Sequence, residues 1–318
     1  MSIMALLEAP QVQVLGITVV TGDGWRDEEV QHTLRMLELI GRSDVPVVPG
    51  AVFPLVRTQE ETKLAAKQFG TAPWLGAWGG VPNRPNQQVH GPWDVPTLPE
   101  GAPHIKAADE DAAHFLIRQV HAHPHEVTII ALGPLTDIAL ALRIDPHFAE
   151  LTKGIAIMGS SLNPVSDDPE IASNPRHEFN FWFDPEAARI VLRAHWPRID
   201  VTTVDISIKT HFSDQMFAAI SKTHSPAAQY IANFSRDRSY MWDELAACAW
   251  LDPSLITHAR DVYMDVDVSH GPSYGDTLAW SKELKPEVDL QLVHAQVDVD
   301  VARFSRMFVE LMSTYASH

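Results

Sequence analysis

The chain has 318 residues, 45% of them apolar, with 9 Trp, 12 Phe and a net charge of −17. That acidic balance argues against a nucleic-acid backbone as partner, which needs clustered Lys and Arg. The single cysteine, Cys248, excludes an internal disulfide framework and a cysteine zinc site, and no apolar run approaches the roughly 18 residues of a membrane span.

Met1, Ile3, Met4, Leu6 and Leu7 are spaced like the buried face of a helix, which Pro10 closes. With no signal peptide in view, the expected location is cytoplasmic. The run Val12–Val20 predicts a strand, and Glu28–Ile40 a helix. Val45–Val48 reads as a shorter strand, and Pro46 either argues against it or places it at an edge. Residues 58–103, rich in Pro, Gly, Trp and Asn, read as a long ordered excursion over a site or an interface. Strand–helix alternation then resumes. Strands are expected at Val127–Ala131, Ile155–Met158 and Ile199–Asp205, with helices at Glu110–Ala122, Leu135–Leu142, Pro185–Ala194 and Glu244–Trp250. This order predicts one α/β domain over 1–318, with a mainly parallel open sheet flanked by helices in a Rossmann-like core.

Ligands of such sheets gather beyond the carboxyl ends of the strands. There the chain carries Thr21-Gly22-Asp23-Gly24, then Leu132-Gly133-Pro134, then Met158-Gly159, then Asp205. Gly and Asp also serve turns, so each alone is ambiguous. In NPRHEFNFWFDPEAARIVL (Asn174–Leu192), Asp184-Pro185-Glu186 is a helix start. Glu178 and Asn180, two apart, share a face if the backbone is extended, and with Asn174 they are suited to vicinal hydroxyls. The competing reading is a set of loop-ordering hydrogen bonds. Asp243 is either a helix N-cap or a ligand for a hard cation such as Ca²⁺, which needs further oxygens. His121, His123 and His125 fit a helix end better than a metal site, and Cys248 fits the core. Phosphate loops of the Gly-rich kind and a G-x-S-x-G elbow are both missing from the sequence.

Several stretches together resemble the nucleoside hydrolases, the inosine/uridine-preferring ribohydrolases. They are LGITVVTGDG with the helix and DVPVVPGA after it, ALGPLTDIALAL, AIMGS, EFNFWFDPEAA, WDELAACAWLDP and VDVDVARFSRMFVELM. The similarity runs from Met1 to about Met312. It implies an N-glycosidase that splits ribose from a nucleobase through an oxocarbenium-like transition state, with a Ca²⁺-bound water and an Asp base. By resemblance, Asp243 and the Leu132 carbonyl are calcium ligands. Asp23, Asn174, Glu178 and Asn180 contact ribose, and Met158 packs against it. Trp242 stands where many members carry a His acid, and an indole stacks on a base but delivers no proton. The resemblance also implies homodimers or tetramers.

The family's D-T-D-x-G-x-D-D strand precedes its first helix, and MSIMALLEAP aligns with that helix. The general base and most calcium carboxylates are therefore expected upstream of Met1, with Met1 read as an internal methionine. On this reading the 318-residue chain has little ribohydrolase activity. The alternatives are a non-catalytic ribose or nucleoside binder on the same scaffold, and a carboxylate-only glycosidase built on Glu178 and Asp243.

Overall fold

A computed structural model describes residues 1–79, 89–173, 177–235 and 239–314. The chain begins with helix α1 (Ser2–Glu8), followed by strand β1 (Ile17–Val19), α2 (Arg26–Ile40), β2 (Val47–Pro49) and α3 (Gln59–Phe69). The middle runs α4 (Ala112–Ala122), β3 (Thr128–Ala131), α5 (Thr136–Ile144), β4 (Gly154–Met158) and the short α6 (Pro169–Ala172). Then come α7 (Phe179–Phe183), α8 (Pro185–Leu192), β5 (Ile199–Thr202) and α9 (Val204–Ser207). The last third holds α10 (Asp214–Ile220), α11 (Pro226–Phe234), α12 (Trp242–Leu251), β6 (Ile256–Val266), β7 (Thr277–Trp280), β8 (Leu292–Val299) and α13 (Val301–Ser313).

The strands form two sheets. β1 and β2 pair in parallel, and six strands follow the order β3-β4-β5-β8-β6-β7. β3, β4, β5 and β8 run parallel, whereas β6 is antiparallel to both β8 and β7. All five residues of β4 are buried, as a strand covered on both faces requires. One apolar core lies between this sheet and α4, α5 and α8, around Phe148, Ile155, Val191 and Val201. A second joins α1, α2 and α10 to α13 through Leu7, Leu37, Ile231, Cys248 and Phe308. Helix α12 is apolar nearly all round, so it sits inside, with Cys248 fully buried. Among the described residues, no helix is long and apolar enough to cross a membrane.

Local chemistry fixes the elements that matter for the site. Asp184 caps α8 by accepting from Ala187 N (3.1 Å), with Pro185 at the first helical position. Its other oxygen accepts from Leu55 N (2.9 Å) and the Thr136 hydroxyl (2.7 Å), which ties three segments together. Gly41, at φ 78°, ends α2 in the left-handed conformation that costs glycine nothing.

Three expectations change. The strand expected over Val12–Val20 shrinks to Ile17–Val19, because β1 has one partner only and that partner is short. The excursion at 58–103 contains α3, whose Thr58 side chain accepts from Glu61 N (3.1 Å). The T-x-x-E spacing of a capping box announces that helix. Strand β5 ends at Thr202, and the chain turns into α9 before Asp205.

Candidate functional site

One cavity of about 900 Å³ opens at the carboxyl ends of β1, β3 and β4. Asp23 reaches it from the turn after β1, Leu132 from the turn after β3, and Met158 from the last position of β4. Glu178 and Asn180 enter from the start of α7, and Trp242 and Asp243 from the first turn of α12. Seven of the eight residues singled out in the sequence thus share one wall. The eighth, Asn174, lies outside the described residues.

The geometry of Glu178 and Asn180 differs from the extended pair expected. Glu178 is the N-cap of α7, so the two residues share a helix start and not a strand face. One carboxylate oxygen accepts from Asn180 N (2.8 Å), and the other from Phe181 N (3.0 Å) and Ser160 N (3.1 Å). The loop-ordering role is therefore present. A carboxylate offers about four lone-pair sites, so one acceptor site is left for a ligand. Asn180 Nδ2 donates to the Met158 carbonyl (3.0 Å), which fixes the amide against the end of β4. Burial outweighs the three amide donors and raises Glu178 to about 7.

Asp243 is the second residue of α12, and its side chain does not cap the helix, so the N-cap reading falls. Burial, then Glu244, Asp23 and Glu178, push its carboxyl well above the usual carboxylate range, while the Met1 amino group pulls the other way. Asp23 accepts from the indole of Trp74 (2.5 Å), itself a cavity residue. The rings of Trp242 and Tyr240 lie 5.0 Å apart, tilted at 57° to each other. Trp78 is packed against Phe183 and Trp182 away from the opening, and Trp93 stands at the surface.

Glu29 also lines the cavity and was not anticipated. Burial first, then Asp23 and Glu28, raise it to about 7 against the opposing pull of His32. It sits in the first turn of α2, where any acidic residue complements the helix dipole, so its sequence context does not set it apart.

The carboxylates crowd one another without closing a metal site. Among the described residues, no group of three or more His, Cys, Asp or Glu is placed to hold an ion. Asp243 with a carbonyl at Leu132 falls short of the six to eight oxygens Ca²⁺ takes. The described residues therefore do not fit a calcium ion by themselves. His121 pairs instead with Asp145 (2.7 Å) at the end of α4.

The sequence matches the profile of the inosine-uridine preferring nucleoside hydrolases over residues 1–306. It is 31% identical over 274 residues to probable uridine nucleosidase 1 of Oryza sativa subsp. japonica, covering 82% of this chain and 76% of that one. It is 30% identical over 276 residues to uridine nucleosidase 1 of Arabidopsis thaliana, covering 82% and 73%. The fold is similar to that of a plant nucleoside hydrolase, with a TM-score of 0.75, 24% identity, and 99% and 95% of the two chains covered. A purine-preferring ribonucleoside hydrolase from Gardnerella vaginalis gives 0.74 at 23% identity, over 98% and 93%. With its α/β architecture and a family profile spanning nearly its whole length, the chain belongs to the inosine-uridine preferring nucleoside hydrolase family.

Proposed function

We propose that this hydrolase, acting as a single domain, binds a ribonucleoside in the cavity above β1, β3 and β4 and cleaves its N-glycosidic bond. The observation that carries this reading is the convergence of Asp23, Met158, Glu178, Asn180 and Trp242 on one opening. The sugar lies over Met158, with its hydroxyls donating to the remaining acceptor site of Glu178 and meeting Asn180 and Asp23. Trp242 and Trp74 provide aromatic surface for the nucleobase. In the reaction the C1′–N bond breaks and a water oxygen bonds to C1′. The water oxygen keeps one proton as the new C1′ hydroxyl; its other proton goes to a base, and the leaving nucleobase takes up one proton in turn, so that none is gained or lost overall. Two cavity carboxylates, Glu29 and Glu178, are raised to about 7, which suits a base at neutral pH; Glu178 is committed to three backbone amides, so the base is assigned to Glu29.

Calcium is the metal the family resemblance implies. Asp243 and the Leu132 carbonyl would hold part of its shell, but among the described residues the donors fall short of the six to eight oxygens the ion takes. That shortage favours a second reading, a nucleoside binder without turnover. Other parts of the reading are a cytoplasmic location, no nucleic-acid partner, and a homodimer or tetramer.

The experiment is ribose release from uridine and inosine, with calorimetry of the same nucleosides with and without EDTA. Turnover that falls in Glu29→Gln supports the hydrolase reading. Saturable binding without turnover, insensitive to chelator, supports the binder. Neither binding nor turnover would refute both.

A further inference from the structure

A second cavity, of about 110 Å³, is walled by α3, the turn at 271–274 and Trp182 of α7. It is smaller than the roughly 300–1,000 Å³ of ordinary ligand pockets, so it admits a group of a few heavy atoms and no nucleoside. His177 and Trp182 line both this cavity and the larger one, so the two adjoin. The chain carries 41 acidic residues against 24 Lys and Arg. Yet among the described residues no Asp or Glu lines the second cavity, whereas Arg57, Lys63 and His177 do.

Arg57 is only 4% exposed, and a buried cation is ordinarily paired with a carboxylate. Glu61, Glu186 and Asp184 lie near enough to act on it, but each is engaged elsewhere. Glu61 pairs with His270. Both oxygens of Glu186 lie 2.9 Å from the Tyr274 hydroxyl. Asp184 serves Ala187 N, Leu55 N and the Thr136 hydroxyl. The rings of Trp182 and Tyr274 cover the guanidinium, with Cζ 4.5 Å and 4.1 Å from their centres. Its donors lie in its own plane, so a partner must approach along the edge. There Nη2 donates to the Tyr274 carbonyl (2.9 Å), while Nε is buried and has no hydrogen-bond partner among the described residues. His177 is already paired with Asp276 (2.8 Å). Lys63 stands exposed at the rim, and Thr71 adds a hydroxyl to the wall.

We propose that this cavity is a binding site for a small oxyanion, a phosphate group or a short carboxylate. The oxyanion accepts from Nε at the edge of the Arg57 guanidinium and from the Lys63 ammonium at the rim. A guanidinium suits this task, because its fork of in-plane donors matches the oxygens of either group. Burial lowers Arg57 to about 10, which leaves it charged at neutral pH. With the two rings excluding water, each charge-assisted hydrogen bond is stronger than it would be at the surface. The site stands apart from the carboxylates of the nucleoside cavity, and it holds whether or not that cavity turns over a nucleoside.

The test is calorimetry of the 318-residue protein with sodium phosphate and, separately, sodium acetate, each against sodium chloride at equal ionic strength. Saturable binding of at least one anion is expected, and the one that binds identifies the class. Arg57→Gln should weaken it by roughly tenfold or more, as loss of a buried charge-assisted hydrogen bond does. Lys63→Gln, an exposed change, should weaken it by about twofold to fivefold. Lysine acetylation read by mass spectrometry locates the site without any variant. Lys63 and Lys67 are both exposed on α3, and only Lys63 lines the cavity, so the bound anion should slow labelling at Lys63 and not at Lys67. If Arg57→Gln fails to fold, Lys63→Gln and the labelling decide. Absence of saturable binding by either anion, which leaves the cavity to water, would overturn the proposal. So would binding unaltered by Lys63→Gln with Lys63 and Lys67 labelled alike.

Discussion

Replacing Glu178 with alanine removes the acceptor for three backbone amides at once, those of Ser160, Asn180 and Phe181. Glu178 is only 6% exposed, so its environment offers little bulk water to replace it. An orphaned buried donor costs about 1–3 kcal/mol. The side facing the cavity admits some water, which holds the expected total to about 2–4 kcal/mol. The helix start at α7 loosens, and Asn180 loses its fixed position beside Met158. The assay is urea unfolding followed by tryptophan fluorescence, with nucleoside affinity measured on the folded protein. Unfolding should shift to lower urea with an unchanged slope. Affinity should fall by roughly tenfold or more, about 1.4 kcal/mol, if the remaining acceptor site holds a ribose hydroxyl. A variant within about 0.5 kcal/mol of the parent, the range of ordinary surface substitutions, would refute the claim that this carboxylate organises the site.

Four further outcomes follow from particular contacts. Asp184→Ala breaks the cap of α8 and orphans Leu55 N and the Thr136 hydroxyl, so chemical denaturation should show a loss of about 3 kcal/mol. Arg57 lies 4.5 Å from the ring centre of Trp182 and 4.1 Å from that of Tyr274, and donates to the Tyr274 carbonyl. Arg57→Lys should therefore destabilise almost as much as Arg57→Ala in thermal unfolding, because an ammonium cannot fill a planar slot between two rings. Burial raises Asp137 from 3.8 to about 6 in the fold. The native state then holds the extra proton between those values, so stability from this group is greatest below about pH 4 and falls as pH rises towards 6, by at most about 3 kcal/mol. Asp137→Asn should lack that slope in a pH series of unfolding curves. Trp242→Ala should weaken nucleosides and leave free ribose unaffected in calorimetry, since the indole is assigned to the base alone.

The parallel half of the fold was legible because its strands are short apolar runs, each followed by a helix. Val127–Ala131 and Ile155–Met158 appear within one residue of their observed limits. β6 was not legible. Its stretch Thr257–Asp261 is exposed and polar, so the alternation that marks a half-covered strand is absent. α3 was missed because the surrounding Pro and Gly masked an ordinary capping signal at Thr58. At the site, reading the residues after each strand brought together side chains distant in sequence. Pairing Glu178 with Asn180 failed as geometry, since two-residue spacing puts side chains on one face only in extended backbone, and here a helix begins. Glu29 stayed hidden because only the folded chain brings it beside Asp23.

The most direct test of the account is a crystal structure of the protein with inosine or its product ribose bound. The account predicts the pentose over Met158, hydroxyls within hydrogen-bonding distance of Glu178 and Asn180, and any purine against Trp242. A pentose bound elsewhere, with this cavity holding only solvent, would contradict it.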